Sequence, residues 1–279
     1  MTGTPRKIMY LSPVAASEGH CEIFAEMARE NRLPDTEVHV TALPETEGRF
    51  SHIEFRAYEA WVTRGILRAV RAAAREGFDG FAIGCFYDTA LHDAREISGE
   101  MIVTAPCMAS CEIAASLCNS FGVIVGRQKW VHQMQSTVHA LGHRDRLAGF
   151  YPVGLGVDDF QADHERTARL LIETGRKAVA QDHAEALILG CTMEVGFYRE
   201  VERELGVPVI DPSIAALKRA EYAAILKQQC GWVPSRKWSC EAPSEQEMAR
   251  FADFDGGEAF GARIVVPADG AAPGRAAAE

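Results

Sequence analysis

No apolar run in this chain is long enough to cross a bilayer, a span that takes about 20 residues. Residues 1–7 are polar and carry none of the apolar stretch of an export signal, so a cytoplasmic protein is the expectation. Basic blocks are missing as well. Twenty-nine Lys and Arg stand against 39 Asp and Glu, net charge −10, with the arginines scattered over helical segments. Neither a nucleic-acid nor a membrane partner is expected from such a pattern. Cofactor fingerprints are lacking too: Gly154-x-Gly156 has no following glycine and runs into Asp158-Asp159, which makes it a turn and not a dinucleotide loop. Without an export signal, the eight cysteines read as reduced thiols. Cys107, Cys111 and Cys118 fall at i, i+4 and i+11 of one segment with Ala114 and Ala115. No Cys-x-x-Cys or paired histidine completes a ligand set, so they read as small core residues on one helix face and no metal is expected.

What is present is a repeat. Phe81-Ala82-Ile83-Gly84-Cys85 is echoed by Leu187-Ile188-Leu189-Gly190-Cys191, 106 positions later. Each is a short apolar run with strand character that stops at a glycine, and a cysteine follows where the next segment reads as a helix. The same offset carries Pro106 to Pro212, each after a short strand, and the alanine-rich, charged segments 66–77 and 172–182 precede the two copies. One βα unit used twice is the reading. It puts a thiol at the carboxyl end of a strand in each half, where open α/β sheets gather ligands.

The remaining pattern agrees with an α/β chain. Residues 7–11, 36–43, 121–126 and 146–153 read as strands, and 21–31, 129–141, 160–181 and 213–229 as helices. A long helix over 55–76 carries Phe55, Tyr58, Val62, Ile66, Ala69 and Ala73 on one stripe. The loop Ser12-Pro13-Val14 follows the first strand and faces a ligand or forms a plain turn. The pattern fades beyond Gly231: 232–265 reads as an appendage and 266–279, ending in Ala271-Ala272-Pro273-Gly274 and alanines, as a disordered tail. The fold class expected is α/β, with two similar Rossmann-like lobes of parallel sheet related by a pseudo-twofold. The first is built from 1–104 with 213–231, the second from 105–212, and 232–279 is an extension.

Two thiols facing one bound molecule from opposite lobes would support inversion by two bases, one removing a proton from carbon and the other returning one to the opposite face. Such chemistry needs no cofactor. A free cysteine, pKa about 8.5, is only a few per cent ionised at pH 7, and lowering it to about 7 removes roughly 2 kcal/mol of that penalty. A helix N-terminus beside each cysteine, at Phe86-Tyr87 and Thr192-Met193, would supply about 0.3–1 kcal/mol, up to about 2 in a partly buried site. Its free N–H groups would also cradle an enolate oxygen.

Gly84-Cys85 with Asp88-Thr89, Gly190-Cys191-Thr192, and Gly206-Val207-Pro208-Val209-Ile210-Asp211-Pro212 together resemble the aspartate/glutamate/hydantoin racemase superfamily, closest to its hydantoin racemase branch, over residues 5–228. The resemblance implies two α/β lobes with the site between them, racemisation or isomerisation of a small-molecule substrate without a cofactor, and a homo-oligomer. By position it makes Cys85 and Cys191 the acid/base pair and Ser12, Phe86, Tyr87 and Thr192 neighbours of the substrate, with Arg127 as a further candidate. Tyr87, Phe86 and Met193 would form an apolar pocket for a side chain. The chain departs from glutamate racemases, which show Cys-Asn-Thr and Gly-Cys-Thr-His where it has Cys85-Phe86-Tyr87 and Met193. Ser12-Pro13-Val14 replaces the asparagine-rich loop of many hydantoin racemases. Arylmalonate-type decarboxylation uses only the second cysteine, maleate-type cis/trans isomerisation uses two, and a non-catalytic binding protein would bury both.

Overall fold

A computed structural model of the chain describes residues 5–14, 18–47, 49–251 and 254–270. The end of the expected tail, 271–279, and part of the loop after the first strand, 15–17, lie outside the described residues. Along the chain run β1 (Arg6–Ser12), α1 (Glu18–Asn31), β2 (Thr36–Ala42), α2 (Arg56–Arg75), β3 (Gly80–Ile83), α3 (Leu91–Ile97), β4 (Ile102–Thr104) and α4 (Pro106–Leu117). Then follow β5 (Phe121–Val125), α5 (Gln128–Ala140), β6 (Leu147–Pro152), α6 (His164–Asp182), β7 (Ala186–Leu189), α7 (Tyr198–Leu205), β8 (Val209–Ile210), α8 (Pro212–Cys230), α9 (Glu245–Met248) and β9 (Arg263–Val266).

The strands form two sheets, ordered β4-β3-β1-β2-β9 and β6-β5-β7-β8. Apart from β9 every pairing is parallel, and β3-β1-β2 of the first sheet has the order of β7-β5-β6 in the second. Helices cover both faces of a parallel sheet, so its strands are apolar throughout and do not alternate. Accordingly all of β3, β5 and β7 is buried.

The glycine of each repeat is required by a close approach. Gly84 N–H donates to the Leu11 carbonyl at 2.7 Å, and Gly190 N–H to the Ile124 carbonyl at 2.7 Å. A Cβ would fall 2.8 Å from that oxygen at Gly84 and 2.5 Å at Gly190, inside any tolerable contact. Only glycine lets the strand end tuck against its neighbour before the cysteine turns outward.

The chain passes from one sheet to the other twice. β4 of the first sheet leads through α4 to β5 of the second, and β8 of the second leads through α8 back onto β1, β3 and β4. Both crossing helices begin with proline, Pro106 and Pro212, at the N1 position where the missing N–H costs nothing. The two helices pack against each other.

Several expectations from the sequence are corrected. Cys107 and Cys111 are buried in α4, but Cys118 follows the helix end with extended backbone, so the three do not share a helix face. Of the expected stripe Val62, Ile66, Ala69 and Ala73 are buried on α2, whereas Phe55 and Tyr58 are 39% and 36% exposed and form ring contacts with Phe50 and His52. The pattern does not end at Gly231. β9 adds to the first sheet antiparallel to β2, Val38 opposite Val266 and Val40 opposite Ile264, and Val266 and Ala268 are buried. Residues between α8 and β9 are strapped to α2: Arg71, itself buried, donates to Glu245 at 2.6 Å and Asp255 at 2.7 Å, and Met248 packs beside it.

Candidate active site

At the carboxyl ends of β1, β3 and β7 the two lobes enclose a cavity of about 70 Å³, several times the about 10–15 Å³ that holds one water. The first lobe contributes Ser12 to Val14 after β1, Ser51 to Glu54 before α2, and Gly84 to Tyr87 after β3. From the second come Trp130 and Met134 of α5, Val157, and Gly190 to Met193 after β7. His20 and Phe24 of α1 close one side.

Cys85 and Cys191 therefore open into the same space, one from each sheet, and the charge of Cys85 is felt at Cys191. Ser12, Phe86, Tyr87 and Thr192 line it as well, and so does Met193. Arg127 does not. Its guanidinium stands behind Glu54, donating to the Glu54 carboxylate at 2.7 Å, and it reaches the cavity only through that side chain.

Neither cysteine caps a regular α-helix, contrary to the expectation. After Cys85 the chain makes a turn in which Asp88 and Ala90 have positive φ, 54° and 57°, and α3 begins only at Leu91. The turn is bent because Asp88 points back to cap α4, accepting from the N–H groups of Cys107 and Met108 at 2.8 Å each. After Cys191 a single 3-10 turn, Thr192–Glu194, precedes α7. What the helix argument sought is supplied locally: the N–H of Tyr87 is directed at the Cys85 sulfur, and that of Met193 at the Cys191 sulfur.

These donors do not outweigh burial. Desolvation pushes the Cys85 thiol up to about 12, against the Tyr87 N–H and the Thr89 hydroxyl, 3.7 Å from the sulfur; the charges of Glu59 and Asp88 add to the rise. Cys191 is also raised well above the ordinary thiol range, first by burial and then by Glu194. Burial likewise raises Glu194. One of its oxygens accepts from the Cys191 N–H at 2.9 Å and the other is buried without a partner among the described residues. Both thiols are raised, so the lowering expected from the sequence is reversed.

Glu54, Trp130 and Thr89 carry roles that the sequence reading did not assign. The one hydrogen of the Thr89 hydroxyl serves either Glu59, at 3.1 Å, or the Cys85 sulfur, at 3.7 Å, and Gln133 of the other lobe holds the second Glu59 oxygen. Glu54 is 5% exposed; burial would raise its carboxyl, yet bonds from the Trp130 indole, the Arg127 guanidinium and the Val157 N–H outweigh it and hold the group below its usual range. A single carboxylate among 39 acidic residues carries no local signal of this kind. Among the described residues no three His, Cys, Asp or Glu side chains are grouped to hold a metal ion, and no helix is long and apolar enough to cross a membrane.

Paired thiols at matching strand ends, lining one cavity between two lobes built on parallel strands, define the class of α/β protein to which this fold belongs. The chain belongs to the Asp/Glu/hydantoin racemase family, whose model matches residues 8–220. It is 34% identical over 157 residues to a hydantoin racemase of Pseudomonas sp. (strain NS671), covering 56% of this chain and 63% of that protein. A hydantoin racemase of Rhizobium meliloti is 33% identical over 183 residues, 66% of this chain and 75% of the relative. Among solved structures, allantoin racemase from Klebsiella pneumoniae superposes with a TM-score of 0.79 at 24% identity, covering 86% of this chain and 94% of the other. The maleate isomerase Iso from Pseudomonas putida S16 gives 0.60 at 14%, covering 78% and 92%. These structural likenesses show the shared fold.

Proposed function

We propose that this protein is a cofactor-independent racemase or epimerase that inverts a carbon acid next to a carbonyl, in a hydantoin-like or amino-acid-like substrate, by two-base proton transfer between Cys85 and Cys191. The observation that carries this reading is the pair itself: two free thiols, one after each Gly84- or Gly190-ended strand, lining one cavity. Hydantoin racemases among the relatives support the same assignment.

The reaction needs one negative charge shared by two sulfurs. The thiolate on one side takes the proton from carbon, the electron pair moves onto the carbonyl, and the thiol on the other side gives up its proton, so each turnover exchanges the roles of the two cysteines. Like-charge repulsion across the cavity opposes a second ionisation, which keeps one sulfur protonated as donor. The cost lies in forming the first thiolate, and the Tyr87 N–H, Thr89 hydroxyl and Met193 N–H are the groups that reduce it.

The test is inversion of an enantiopure 5-substituted hydantoin or of allantoin by wild type, Cys85→Ser and Cys191→Ser in deuterium oxide. Each variant is expected to lose inversion. Retention of exchange without inversion for one enantiomer would assign a face to the remaining thiol. Wild-type inversion by either single variant would refute the two-base reading.

A further inference from the structure

Glu54 is the one carboxylate among the described lining residues, and it is held as an anion there by three donors: Trp130 Nε1 at 3.1 Å and Arg127 Nη1 at 2.7 Å on one oxygen, Val157 N at 3.3 Å on the other. A carboxylate offers about four acceptor positions, so one stays open. The charge of Glu54 is felt at Cys191 and Tyr87, across the cavity. No lysine or arginine is among the described lining residues; His20 and His52 are the wall's only other nitrogen bases, and the nearest guanidinium, that of Arg127, is spent on the outer side of Glu54. A ligand carboxylate would therefore meet the Glu54 carboxylate on the cavity side, with the Arg127 guanidinium that balances it outside the lining, in a site where burial strengthens the repulsion between the two carboxylates. A neutral ligand with an N–H would find an acceptor already desolvated and oriented.

We propose that Glu54 is a specificity-determining residue that accepts a hydrogen bond from a ring N–H of a neutral cyclic ureide and turns away carboxylate-bearing substrates. The assignment rests on reading this cavity as the active site. It also divides the labour of the lobes. Glu54, from the first, grips the nitrogen side of the ring through donors lent by the second, while the thiols act on the carbon.

The experiment is calorimetric titration of the whole chain, wild type and Glu54→Gln, with 5-methylhydantoin, its 1-methyl and 3-methyl derivatives, and N-carbamoylalanine, the anion that hydrolytic opening of the ring produces. For wild type, methylation of one of the two nitrogens is expected to weaken binding at least tenfold, and ring opening to weaken it at least as much. In Glu54→Gln the parent ring should bind at least tenfold more weakly, with the penalty for N-methylation gone; a merely structural role would weaken all rings alike and keep that penalty. Should the variant not fold, the wild-type series decides by itself. Equal affinity for all three rings, tighter binding of N-carbamoylalanine, or no binding of any ring would overturn the assignment. The expected affinities without racemisation would leave Glu54 as proposed and refute the catalytic reading, whereas racemisation with a flat N-methyl series would do the reverse.

Discussion

The Thr192 hydroxyl donates to the Gly84 carbonyl at 3.2 Å, joining the residue after one cavity cysteine to the residue before the other. Both groups are buried, and Ser213 of α8 donates in turn to the Thr192 carbonyl at 3.1 Å. The bond sets the spacing of the two cysteine turns across the lobe boundary. Removing it in Thr192→Val leaves a buried carbonyl without its donor, at a cost of about 1–3 kcal/mol. The expected outcome is a fall of about tenfold or more in kcat/KM with the fold retained, and recovery to within about threefold in Thr192→Ser. Steady-state kinetics with circular dichroism on both variants checks this; a valine variant with unchanged kcat/KM would show that the spacing is set elsewhere.

Burial raises both thiols, Cys85 to about 12. The base must be a thiolate, and below the pKa its fraction grows with pH, so kcat/KM is expected to climb by about tenfold per unit between pH 6 and 9. The sign follows from the direction of the shift: a lowered thiol would give a plateau beginning near neutrality. A pH profile that is flat from pH 6.5 upward contradicts the raised values.

Thr89 and Glu59 act on Cys85 in opposite senses, the hydroxyl favouring the thiolate and the carboxylate opposing it. Thr89→Val should slow alkylation of Cys85 by iodoacetamide at a given pH, and Glu59→Gln should speed it. Peptide-resolved mass spectrometry reads both rates, and a shift of the same sign in the two variants counts against the assignment.

His183 ends α6 with φ 55°, a left-handed conformation, with its side chain exposed. The helices α7 and α8 end at the same conformation with Gly206 and Gly231. A non-glycine residue there costs about 1 kcal/mol. His183→Gly is accordingly expected to raise the melting temperature by about 2–4 °C, measurable by thermal denaturation; a fall would mean that the imidazole makes a stabilising contact.

The strand-glycine-cysteine repeat was readable because every part of it is local: an apolar run, a glycine forced by a close approach, and the thiol next to it. Ser12, Phe86, Tyr87 and Thr192 came with it, being neighbours in sequence of the strand ends that meet at the cavity. What escaped depends on distance along the chain. Glu54 acquires its role from Arg127, Trp130 and Val157, more than 70 residues away, and the same partnership is why Arg127 stops short of the cavity. The delayed start of α3 follows from Asp88 capping a helix 19 residues further on, and β9 is recognisable only from its pairing with β2 across more than 200 residues. Periodicity within a segment says nothing of such contacts.

Since α4 leaves from the first sheet to begin the second, and α8 leaves the second to finish the first, the covalent links between the halves are confined to two adjoining helices that open at Pro106 and Pro212. The molecule is thus hung like a pair of tongs. A change in how α4 packs on α8 is therefore passed on to the spacing of the two sulfurs, although neither helix lines the cavity.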